Sequence, residues 1–108
     1  MRTFIITAIA LWALSTPAMA AEHVVDQKDL SFSQTEMSIA VGDKIKFKNS
    51  DRTAHHIWTK DNGVNISSQT LKTGEAYEVK FNTAGTYTVK CHIHPKMKLT
   101  VVVKKAVP

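Results

Sequence analysis

Seven consecutive residues, Cys91-His92-Ile93-His94-Pro95-Lys96-Met97, hold a thiol, two imidazoles and a thioether, and Cys91 is the only cysteine of the chain. Thiolate and thioether are soft ligands that suit copper, and imidazole serves it as well. One cysteine and two histidines in a trigonal set, with a long axial methionine, make a blue-copper electron-transfer site. Two residues separate Cys91 from His94 and two more separate His94 from Met97, so three donors recur at every third position of one short loop. Donors arriving from a single loop leave a metal open on its far side. A further imidazole has to come from another segment, and the adjacent pair His55-His56 is the candidate supplier. Pro95, with its fixed φ, stiffens the loop directly after His94.

Other chemistries fit these residues less well. A zinc site would use more thiolate or histidine and no thioether. A lone cysteine is often just a buried thiol, but His94 and Met97 at loop spacing favour a metal thiolate. No Ser-His-Asp set, paired carboxylate or phosphate-binding loop can be assembled, and four protein ligands would leave copper no open position for a substrate. The expectation is therefore a protein that is not an enzyme.

The scaffold for these segments is written in period two. Lys44-Ile45-Lys46-Phe47-Lys48-Asn49 alternates strictly between polar and apolar residues behind the turn signal Gly42-Asp43, which predicts a strand with Ile45 and Phe47 facing a core. Ala76 to Phe81 alternates likewise, with Tyr77, Val79 and Phe81 on one face. Thr86 to Lys90 runs into Cys91, and Leu99 to Val103 forms a last strand after the loop. Val24 to Phe32 predicts a first strand and Gln34 to Met37 a connection. Ala54 to Thr59 reads as a short strand bounded by the turn signal Asn62-Gly63. Val64 to Thr70 fits strand, loop or helical turn equally. About seven short strands at turn-marked intervals predict an all-β sandwich or barrel.

The chain has 108 residues, room for one domain. Arg2, the apolar run from Phe4 to Leu14 and the small-residue pattern Ala18-Met19-Ala20 read as a secretory leader, so cleavage is expected after Ala20, leaving a domain over residues 21–108. The apolar run is too short to span a bilayer, and no second one follows, so no membrane insertion is expected after cleavage. Export explains why the odd cysteine needs a role, because oxidising compartments favour even numbers for disulfides. The formal charge of +5 comes from 14 Lys and Arg against 9 Asp and Glu. Lys90, Lys96 and Lys98 bracket the ligand loop and would steer an acidic redox partner. Aromatic residues are not interleaved with the basic ones in the way that stacks bases, which argues against nucleic acid.

Asn49, His55 six residues later, Cys91-x-x-His94-x-x-Met97 and a following valine-rich strand together resemble the cupredoxin family, closest to its amicyanin, pseudoazurin and plastocyanin group. The likeness extends over Val41-Gly42-Asp43 and Ala84-Gly85-Thr86-Tyr87, and the short His94-Pro95-x-Met97 spacing is most similar to amicyanin. The resemblance implies a small Greek-key β-sandwich of seven to eight strands holding one type 1 copper. It implies His55, Cys91 and His94 as equatorial ligands, Met97 as the weak axial one, and electron exchange through the exposed edge of His94. A periplasmic, monomeric, diffusible one-electron carrier follows from it. Two residues depart from the pattern. His56 stands where the family has an asparagine that ties the two ligand segments together, and His92 follows the cysteine where small or neutral residues are common. They are accessory or alternative metal residues, and they motivate the alternative of copper sequestration, delivery or tolerance.

Overall fold

The alternating segments fold as strands in a computed structural model that describes residues 20–105. The expected leader, apart from Ala20, lies outside the described residues. Nine strands are present: β1 (Glu22–Lys28), β2 (Ser31–Phe32), β3 (Glu36–Ala40), β4 (Lys44–Asn49), β5 (Ile57–Thr59), β6 (Ile66–Ser67), β7 (Ala76–Lys80), β8 (Gly85–Cys91) and β9 (Lys98–Lys104). One sheet has the order β2-β1-β4-β7 and the other β3-β9-β8-β5-β6. No helix occurs among the described residues, and the architecture is an all-β sandwich.

Each sheet turns one side of its alternation inward. On β4, Ile45, Phe47 and Asn49 are buried while the lysines between them face outward. On β8 the buried set is Tyr87, Val89 and Cys91, and on β9 it is Leu99, Val101 and Val103. The thiol is thus the last inward residue of a core strand, which is why Cys91 is only 2% exposed at the edge of a loop. Antiparallel pairing of β8 with β9 ends at Lys90 opposite Lys98, so residues 91–97 form the tip of that hairpin.

Three details differ from the expected pattern. The first strand is two, because the chain reverses at Asp29 and Leu30, both with positive φ (52° and 57°), and Lys28 pairs with Ser31. Leu30 tolerates that conformation in a turn whose amide is held by Asp51 Oδ2 at 2.9 Å. The expected connection over Gln34 to Met37 is instead where β3 begins, since parallel pairing of Glu36 with Thr100 onward satisfies its backbone. The ambiguous segment contributes the two-residue β6, paired with Trp58 and Thr59.

Ahead of β4, Asp43 closes the N-terminal end. Its carboxylate accepts from the amides of Ala40 and Ala21 and from His23 Nε2, each at 3.0 Å. The Ala40 amide first, then His23, hold it below the usual carboxylate range. His23 is accordingly tied to the end of β4 through Asp43.

Gly85 opens β8 at φ 145°, and a Cβ there would come within 2.6 Å of the Asn62 side chain, whose amide donates to the Thr86 carbonyl at 3.0 Å. Gly85→Ala is therefore expected to destabilise the domain by about 1–3 kcal/mol, as overpacking does. Adding Asn62→Gly should recover part of that loss. Urea unfolding of both variants checks this, and equal stability of Gly85→Ala and wild type would contradict it.

Candidate metal centre

Two backbone contacts bring the chemical residues together. Ile57 on β5 pairs with Cys91 on β8, and the His92 amide donates to the His56 carbonyl at 2.8 Å. His55, one step before this pairing, is bridged on its other side to Leu71 by two backbone hydrogen bonds of 2.9 and 2.7 Å. Its ring is wholly buried. At the hairpin tip, the Met97 amide donates to the His94 carbonyl at 3.0 Å, folding the loop into a turn. Met97 is 2% exposed and belongs to the same core as Cys91, whereas His94 is half-buried.

The result is a triangle of donors. Cys91 Sγ lies 3.6 Å from His55 Nδ1 and 3.7 Å from His94 Nδ1, and the two Nδ1 atoms are 3.2 Å apart. A point equidistant from all three is about 2.0 Å from each. Metal–imidazole bonds of ~2.0–2.1 Å and metal–thiolate bonds of ~2.3 Å at zinc, an ion of copper's size, show that the opening has the right dimension. Among the described residues these three are the group able to surround a metal ion. Soft sulfur with two imidazoles fits copper by donor chemistry as well.

The loop before β5 sets the tautomer. Asp51 Oδ2 lies 3.0 Å from His55 Nε2. The Leu30 amide first, with His55 and the Arg52 amide after it, pulls the Asp51 carboxyl down to about 2 from 3.8 despite its burial. An ionised carboxylate only accepts, so His55 Nε2 carries the proton and Nδ1 presents a lone pair to the triangle. Asn49 shapes this loop: its side-chain amide donates to the carbonyls of Thr53 and Leu71 at 3.0 and 2.9 Å, and its Oδ1 accepts from the Asp51 amide at 2.9 Å.

His56 and His92 take other positions. The His56 side chain leaves the triangle, and its Nε2 is 2.6 Å from Ser67 Oγ. Its amide, however, points at Cys91 Sγ at 3.4 Å, so the tie between the two segments runs through backbone groups of His56. His92 is exposed, with its ring 5.1 Å from that of His56 and 5.5 Å from Trp58. Asp51 and Ser67 escaped sequence reasoning. For Asp51 a signal existed, a carboxylate four residues before a candidate ligand histidine; for Ser67 there was none, since its role depends on the β5–β6 pairing.

A buried thiol facing two imidazole nitrogens at one end of a β-sandwich defines a mononuclear copper-binding protein. The family described as copper binding proteins, plastocyanin/azurin family, matches residues 19–104. Amicyanin-alpha of Methylorubrum extorquens is 32% identical over 81% of this chain and 76% of its own length. The major plastocyanin isoform of Arabidopsis thaliana is 32% identical over 82% of this chain, which spans 61% of that relative. A solved structure of a reduced amicyanin variant superposes with a TM-score of 0.71 at 26% identity, covering 82% of this chain and 88% of that one. A copper-containing nitrite reductase from Thermus scotoductus contains a similar unit, with a TM-score of 0.72 at 26% identity over 80% of this chain but only 23% of that one. The chain belongs to the plastocyanin/azurin family of copper-binding proteins, and copper is its cofactor.

Replacing Asp51 with alanine removes the acceptor that orients His55. Copper affinity is expected to fall about 10–100-fold, the usual effect of losing such a partner; competition with a chelator measures it, and unchanged affinity would rule the orienting role out. Because folding lowers the Asp51 pKa from 3.8 to about 2, its contribution to stability is complete above pH 3.8 and disappears as pH falls through about 2. Acid unfolding of Asp51→Asn should lack that component.

Proposed function

We propose that His55, Cys91, His94 and Met97 hold a single type 1 copper and that the protein is an exported, diffusible one-electron carrier. The observation that carries this reading is the donor triangle, closed by the fold on two sides and by core packing beneath. Copper bound there supplies a Cu(I)/Cu(II) couple. The chain's part is to keep the donors in one geometry: Asp51 holds the His55 ring, the His56 amide faces the thiol, and β8 anchors Cys91 in the core. Donors that need little rearrangement between two charge states make electron exchange fast. All four positions being filled by protein supports a carrier over an enzyme.

The half-buried His94 is the route to the surface. Exposed Leu30 (51%) and Ile93 (49%) flank it, and with Pro95 and Lys96 they line a shallow apolar hollow of about 310 Å³. A partner seated there approaches the His94 edge directly, and Lys90, Lys96 and Lys98 favour one with an acidic rim. The leader pattern supports cleavage after Ala20, a mature domain of residues 21–108, and a periplasmic location for a monomeric carrier. The alternative, copper sequestration or delivery, draws on His56 and His92, and redox cycling separates the two: the blue copper of a carrier cycles reversibly between Cu(I) and Cu(II), whereas that of a store cycles poorly.

Copper(II)-loaded protein is expected to show an intense visible thiolate-to-copper band that Cys91→Ser abolishes; a colourless oxidised wild type would end the reading. Ile93→Asp should leave that band intact but slow electron exchange with an acidic partner about tenfold or more, measured by stopped-flow. Unchanged exchange would remove the apolar hollow from the docking surface.

A further inference from the structure

Of the three histidines that the proposed copper site does not use, His56 and His92 stand beside it. His56 follows the buried His55 and His92 follows the buried Cys91, and both rings turn away from the core. Their rings meet outside the sandwich with centroids 5.1 Å apart and planes at 70°. The inner pair, His55 and His94, has centroids 4.9 Å apart and planes at 61°, with Nδ1 atoms at 3.2 Å. The outer pair therefore repeats the separation and tilt of the inner one.

The outer rings are also held in advance. The His92 amide donates to the His56 carbonyl at 2.8 Å and so locks the two segments together. Ser67 Oγ, 2.6 Å from His56 Nε2, fixes one ring, and Trp58 lies beside the other at 5.5 Å. Rings positioned in this way lose little freedom on binding an ion. His92 is exposed and His56 half-buried, which leaves the pair reachable from solvent.

We propose that His56 and His92 form a second, solvent-facing metal site that takes one borderline divalent cation, such as zinc(II) or copper(II), through two imidazole nitrogens. Imidazole is a good donor for both ions. With imidazoles alone from the protein, the site binds an ion without forming a blue centre. Its remaining positions stay open to water or an anion. Lys90 and Lys98, which line the adjoining hollow of about 330 Å³ together with His92 and Trp58, favour an anion there.

Zinc chloride titrated into copper-loaded protein tests this, with calorimetry reporting zinc and visible absorption reporting copper. One zinc per chain is expected while the blue band is retained. His92→Gln should weaken zinc binding at least tenfold with the band unchanged, and His56→Gln should weaken it as well. No zinc uptake by the wild type, or equal uptake by wild type and His92→Gln, overturns the proposal. The proposal borrows only its geometric comparison from the copper reading, and the two fail separately. An absent blue band refutes the copper assignment, whereas the zinc difference made by His92→Gln can be measured equally in a Cys91→Ser background.

Discussion

The site depends on a very short piece of sheet. Ile57 opposite Cys91 and Trp58 opposite Lys90 are the only residue pairs joining β5 to β8, yet they bring an imidazole and a thiol 36 positions apart in sequence to within 3.6 Å. The pairing does more than bring them close. By fixing the parity of both strands, it turns His55 and Cys91 inward and leaves His56 and His92 outside. A slip of one residue would exchange the two pairs. Core packing through Ile57 on β5, Val89 on β8 and Leu99 on the neighbouring β9 makes that slip costly.

Polar groups complete what the sheet begins. Asn49 and Asp51 are buried, and every hydrogen bond their side chains make is to a backbone group or to His55. Together they give the segment before β5 a defined shape without regular structure. The same carboxylate oxygen that meets His55 also receives the Leu30 amide, so the first hairpin and the buried imidazole share one acceptor. Such satisfied networks specify a conformation more than they add stability.

Much of this was legible in the sequence, for physical reasons that can be named. Lys44 to Asn49 and Leu99 to Val103 alternate because each faces core on one side and solvent on the other, and period two reports that directly. The turn at Asn62 and Gly63 was legible because both residues adopt positive φ, at 55° and 72°. The reversal at Asp29 and Leu30 was hidden, since leucine carries no signal for such a backbone and the amide that stabilises it finds its acceptor 21 residues away. β3 was hidden because its partner β9 is distant in the chain and its outward residues are polar. At the site, donor types and loop spacing identified Cys91, His94 and Met97 as candidates, but the spacing could not choose between His55 and His56. That choice belongs to the β5–β8 register, a property of two strands at once.

The closure of the β8–β9 pairing at Lys90 and Lys98 has one further consequence. Residues 92–96 cap a hairpin whose stem is secured by the core, with Cys91 and Met97 buried in that core at either end of the cap. Insertions or replacements within 92–96 alter donor spacing, docking surface and outer imidazole together while leaving the stem's register intact. The sandwich and the chemistry at its tip are therefore separable, and a change confined to the cap retunes the metal without rebuilding the protein that carries it.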